Sequence, residues 1–256
     1  MSARGLVATG AVALTLLAAT AAWARGPAGF GAASAPVVQS MIVGSGGAVL
    51  AGDRTVRASA TSIRVSGRMC AVAAGTPLAV LAALHRAGGP GFALRDYGSC
   101  GGAAVNSAQL YVSAIDGERG AAQSGWEYKV NGVSGSAGAA DPSGPMGDGR
   151  RLRSGQRVLW FWCQASYGGC QRTLEVSTST STVNPGAGLR VAVRGFDNEG
   201  SGQAVAGAIV TLGTDFASTG SGGEADLVAP TTPGRYQVSA TRPGLVPSFP
   251  QTIIVR

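Results

Sequence analysis

Apolar and polar positions alternate with a strand period through most of this chain, and only one stretch carries a helical period. Short apolar runs at 41–43 and 49–50 are separated by Gly44-Ser45-Gly46-Gly47, and residues 55–65 alternate polar with apolar. The helix is expected over 78–84, where Leu, Ala and Val follow Thr76 as a cap and Pro77 at the first helical position. Gly88-Gly89-Pro90 ends it. Strands return at 92–97, 109–115 and 126–130, and Asn131-Gly132 has the chemistry of a two-residue hairpin turn. A Gly-, Pro- and Ser-rich loop covers 135–149. The run Arg157-Val-Leu-Trp-Phe-Trp-Cys163 then places Val158, Trp160 and Trp162 on one face and Leu159 and Phe161 on the other. Aromatics on both faces call for a central strand covered on two sides.

Beyond residue 170, seven strand-like runs follow within about 85 residues, at 174–178, 189–196, 208–212, 216–219, 224–228, 235–240 and 252–255. Turn residues separate most of them and no helical period intervenes, which is the pattern of an immunoglobulin-like sandwich. The fold class expected is therefore mostly β: a small α+β domain with one helix over 41–170, then an immunoglobulin-like β-sandwich over 171–256. Residues 25–40, rich in Ala, Gly, Ser and Pro, are expected to be a flexible leader.

The N-terminus changes the setting. Arg4 precedes an uncharged run over 6–22, and Ala22-Trp23-Ala24 has the small-x-small form cut by signal peptidase. Residues 1–24 read as a signal peptide; the rival is an uncleaved anchor, since 6–24 could just cross a bilayer. No later segment is apolar enough to span. Cleavage would leave about 230 residues. Charged residues are 13% and glycines number 41, which suits strands and turns better than helices. The formal net charge of +7 rests on arginine, since Lys129 is the lone lysine. Such a balance permits attraction to polyanions such as cell-wall polymers, and no nucleic-acid motif accompanies it.

Four cysteines in an exported chain read as two disulfides. Of three pairings, Cys70 with Cys100 and Cys163 with Cys170 is favoured, because each pair brackets one connection. On the loop-entropy model they would contribute roughly 3.7 and roughly 2.5 kcal/mol.

Three segments resemble a known family in the expected order: Gly75-Thr-Pro-Leu-Ala-Val-Leu81, Gly125-Trp-Glu-Tyr-Lys-Val-Asn-Gly132, and Leu152-Arg-Ser-Gly-Gln-Arg-Val-Leu-Trp-Phe-Trp162. Together they resemble the transcobalamin C-terminal-like domain of bacterial surface proteins over about residues 60–163. Corrinoid binding is not implied, because the helical partner domain of the transcobalamins has no counterpart here. Gln156 also replaces the usual aspartate after Gly155, and the 135–149 insertion is long. The segments at 205–212, 219–227 and 233–241 are similar to bacterial immunoglobulin-like and carboxypeptidase-regulatory-like modules, which implies a spacer or adhesive stalk.

Candidate chemistry is sparse. His85 is the one histidine, and neither a G-x-S-x-G elbow, an H-E-x-x-H pair nor a P-loop is present, so no enzyme, cofactor or metal is expected. Asp197-Asn198-Glu199 reads as a structural turn, with a weak calcium site as the alternative. Trp126, Tyr128, Trp160 and Trp162 could form an aromatic platform for a ligand or else a core. Arg151 and Arg153, with Arg150 and Arg157, form the densest basic cluster, read either as a solvated loop or as a contact for anionic polymer. The expectation is a secreted or extracellular, non-catalytic binding module for a ligand or surface polymer, with a purely structural spacer or adhesion protein as the alternative. Terminal sequencing of the exported protein should begin at Arg25; a secreted chain still starting at Met1 would contradict the cleavage site.

Overall fold

The computed structural model describes residues 34–165 and 169–256. The signal sequence and residues 25–33 of the expected leader lie outside them. The first half builds on β1 (Val37–Val43), β2 (Val49–Arg57), a hairpin of β3 (Thr61–Val65) and β4 (Arg68–Val72), and helix α1 (Pro77–Arg86). Strands β5 (Phe92–Asp96), β6 (Leu110–Ile115) and β7 (Glu118–Arg119) form a small antiparallel sheet. Strands β8 (Gly125–Val130), β9 (Val133–Ser134) and β10 (Arg157–Cys163) complete the half. The principal sheet runs β2-β1-β10-β8-β9, with β10 at its centre and parallel to β1.

Local chemistry explains the joints. Thr76 Oγ1 accepts the Ala79 N–H at 3.3 Å, and Pro77 needs no partner at the first helical position. Asn131 and Gly132 both take positive φ, 50° and 85°, which a two-residue turn between β8 and β9 requires. The expected run at 55–65 is broken at 58–60, so β2 and β3 belong to different sheets. Strand β1 begins at Val37, inside the stretch expected to be a flexible leader, because Val38 and Ile42 have a core to fill.

Both faces of β10 are covered. Val158 and Trp160 pack with Val38 and Ile42 of β1, Leu78, Leu81 and Leu84 of α1, and Trp126, Tyr128 and Val130 of β8. On the opposite face Leu159, Phe161 and Cys163 meet Met41 and Val43 of β1 together with Val246 and Phe249 from the second half. Each such side chain contributes about 1.5–3 kcal/mol of burial. The 135–149 segment carries no strand or helix, yet it is not a solvated insertion: Ala139 and Ala140 are buried, and the Leu78 N–H donates to the Ala139 carbonyl.

The second half is an immunoglobulin-like sandwich. One sheet holds β11 (Thr173–Thr178), β13 (Gly188–Phe196), β14 (Gly202–Ala204) and β17 (Glu224–Val228). The other holds β12 (Thr182–Val183), β15 (Ile209–Leu212), β16 (Asp215–Ser218), β18 (Gly234–Thr241) and β19 (Gln251–Val255). Leu189, Val191 and Val193 of β13 alternate inward and meet Val210, Leu212, Val238, Ala240 and Ile253. Strands β12 and β14 have no counterpart among the expected runs.

The halves are joined tightly, and Ala35 to Arg256 forms one compact unit. Disulfides link Cys70 to Cys100 and Cys163 to Cys170. The second closes the end of β10 onto the approach to β11, where the Gln171 amide also donates to the Trp162 carbonyl at 2.7 Å. Farther along β8, opposite Leu159, Lys129 is 1% exposed. Its Nζ donates to Thr173 Oγ1 at 3.2 Å and to the carbonyls of Phe196 at 3.0 Å and Asp197 at 2.6 Å. It also stands 5.9 Å from the Phe161 ring centre.

Burial lowers the Lys129 pKa from its ordinary 10.5 to about 8, opposed in part by the carboxylates of Asp197, Glu199 and Glu175. Between those values the unfolded chain keeps a proton that the folded chain releases, so this residue's contribution to stability rises with pH across that window. Lys129→Met removes the titration and the three hydrogen bonds that the amine donates, at a cost of about 1–3 kcal/mol. Denaturant unfolding of both proteins from about pH 7 to about pH 10 should show the difference growing in favour of the native sequence. A difference that stays flat or shrinks would show that the amine is not held as described.

Candidate functional site

Strand register decides the fate of the aromatic candidates. Tyr128 pairs with Trp160 and Trp126 with Trp162 across β8 and β10, so all four rings point to the helix side of the sheet. Their edges interlock, with Trp126 and Trp162 edge to face at 5.8 Å and Tyr128 tilted against Trp160 at 5.4 Å. Residues 137–145 close over them: the Tyr128 hydroxyl donates to the Ala137 carbonyl at 2.7 Å, with the Pro145 carbonyl at 3.0 Å. Trp126, Tyr128 and Trp160 are therefore core, and they do not form an exposed platform. Burial also holds the Tyr128 phenol pKa well above its ordinary value. Trp162 is half-buried at the margin. A cavity of about 200 Å³ runs beside Trp126, Tyr128, Trp160 and Ala139. Among the described residues the Trp160 indole N–H has no hydrogen-bond partner.

The basic candidates behave differently. Arg150, Arg151 and Arg153 are exposed and, with Val130, Val133 and Met146, border a cavity of about 380 Å³. The loop is held by its own bonds. Arg151 Nε donates to the Pro142 carbonyl at 2.8 Å, and the Arg153 N–H donates to Gln156 Oε1 at 2.7 Å. Gln156 thus closes the turn that presents Arg153. Asp148 is the one acid on this rim, with an oxygen 3.7 Å from Arg150 Nε. Arg157 leaves the group, its guanidinium lying 5.8 Å from the Phe249 ring at the junction.

Elsewhere the chemistry is structural. The His85 ring contacts the Pro90 carbonyl through Nδ1 at 3.2 Å and meets Phe92 edge-on. Asp197 Oδ1 accepts the Ser201 N–H at 2.7 Å, which makes 197–201 a hydrogen-bonded turn. Among the described residues no three His, Cys, Asp or Glu side chains gather to hold a metal ion. Two features escaped the sequence reading. Lys129 lies on the same strand face as the junction, and its flanking by Tyr128 and Val130 in a strand was the available signal. The other is a pair of exposed tyrosines, Tyr97 and Tyr111, whose isolated positions gave no signal at all.

In a chain starting at Arg25, acrylamide should quench a minor share of the tryptophan emission, and Trp162→Phe should remove most of that share. Strong quenching that survives this substitution would mean that Trp126 or Trp160 reaches solvent.

Residues 93–162 match a family described as a domain of unknown function, DUF4430. No curated protein matches the sequence. Among solved structures, the D00-D0 domain of Intimin aligns at 16% identity over 58% of this chain and 90% of that one, with a TM-score of 0.26. The D0-D1 domain of Intimin aligns at 12% identity over 86% of this chain and 98% of that one, with a TM-score of 0.25. The segment from β5 to β10 is thus similar to DUF4430.

Proposed function

We propose that this protein is a secreted or cell-surface, non-catalytic module that binds an anionic surface polymer through the arginine loop. The observation that carries the reading is the cavity bordered by Arg150, Arg151 and Arg153, three exposed guanidinium groups against one carboxylate. Such a loop attracts sulfate- or phosphate-bearing chains through charge-assisted hydrogen bonds, without demanding a particular sequence of units. Two disulfides support an oxidising compartment. No helix among the described residues is long and apolar enough to cross a membrane. The transcobalamin C-terminal-like resemblance over 60–163 belongs to the same reading as an assignment of the first half.

A structural spacer is the second reading, favoured by the burial of Trp126, Tyr128 and Trp160 and by the stiff junction around Lys129. The two part on the loop. Inorganic polyphosphate should bind the native protein with an affinity that falls as salt rises, because the contacts are exposed and screened. The triple variant Arg150→Ala, Arg151→Ala, Arg153→Ala should lose about tenfold or more at low salt while keeping its unfolding midpoint. Equal binding by the variant, or none by the native protein, would leave the spacer reading.

A further inference from the structure

Away from the arginine loop, the β5-β6-β7 sheet presents a second surface of different chemistry. Tyr97 follows β5 and Tyr111 lies on β6; they are 65% and 40% exposed, although both carry large apolar rings. Their centroids are 6.1 Å apart and their planes are inclined by 54°. Arg95 is the cross-strand partner of Tyr111, and Arg119 ends β7. With Ser113 and Ala122, these four side chains surround a cavity of about 280 Å³.

The arrangement is built rather than incidental. A Cβ on Gly125 would lie 2.9 Å from the Tyr111 hydroxyl, so this glycine leaves the room in which the phenol sits. Ala122 holds a positive φ of 53° within a turn closed by the mutual bonds of Ala121 and Ser124. Both arginines are unengaged: among the described residues neither makes a salt bridge or a side-chain hydrogen bond. Two nearby acids are occupied elsewhere. Asp96 meets Arg68 and the N–H groups of Gly98 and Cys100, and Glu118 accepts the Ser45 N–H. Glu127 stands close enough to help keep the Tyr111 phenol protonated, after burial as the larger cause.

Two inclined aromatic faces offer contact to the C–H faces of a sugar ring, and planar guanidinium forks match a carboxylate bidentately. We propose that this notch binds an acidic polysaccharide through a uronate unit, its ring against Tyr97 and Tyr111 and its carboxylate held by Arg95 and Arg119. The site is separate from the arginine loop, and neither assignment depends on the other.

Calorimetric titration of the disulfide-intact arginine-loop triple variant, in which the other polyanion-binding surface is removed, with polygalacturonate, poly-L-glutamate and dextran tests this, since only the first combines sugar and acid. Polygalacturonate should bind at least about tenfold more tightly than either control. The double variant Tyr97→Ala, Tyr111→Ala should lose about tenfold or more, as should Arg95→Gln, Arg119→Gln, whereas Tyr97→Phe, Tyr111→Phe should stay close to native. If Tyr111→Ala prevents folding, Tyr97→Ala alone carries the test, because its ring is largely in solvent. The arginine-loop triple variant should retain polygalacturonate binding. Equal binding of poly-L-glutamate, unchanged binding by the tyrosine-to-alanine variants, or loss of binding in the loop variant would overturn the proposal.

Discussion

Everything in this fold hangs on one strand being buried twice. β10 carries Val158 and Trp160 toward the helix and Leu159 and Phe161 toward the second half. A strand with a single apolar face could anchor one layer; this one anchors two, so neither half presents a solvated sheet to the other. The junction is sealed with chemistry suited to a dry place. Lys129 answers the outward carbonyls of Phe196 and Asp197, and the Cys163–Cys170 bridge pins the chain as it crosses. Desolvation of the amine is the cost of that seal, and three oxygen acceptors offset it.

Much of the architecture was legible where sequence pattern and local chemistry agree. Thr76-Pro77 marked the helix, Asn131-Gly132 marked a turn, and aromatics on both faces of 157–163 marked a central strand. Pairing was not legible. β1 and β10 lie side by side although more than a hundred residues separate them, because parallel neighbours need no short connection to announce them. The start of β1 at Val37 was hidden by its Ala- and Pro-rich approach, and β12 and β14 are too short to show a period.

The candidate site shows the same limit from another side. Alternation along 157–163 put Trp160 and Trp162 on one face and register adds Trp126 and Tyr128, yet what covers that face is set by residues 137–145, which carry no period of their own. Glycine- and proline-rich sequence looked like a solvated loop and serves partly as a lid on the core. Conversely, Tyr97 and Tyr111 sit in ordinary strand surroundings. Only the fold brings them within 6.1 Å of each other.

The parallel pairing of β1 with β10 also has a mechanical meaning. Five registered pairs run from Gln39 with Arg157 to Val43 with Phe161. A pull on the leading end of β1 against the trailing end of β10 acts along opposite ends of the pair. The ladder bonds between them then share the load in shear and do not open one by one like a zipper. Tension passing from residue 37 to residue 163 therefore meets the first half in its stiffest direction.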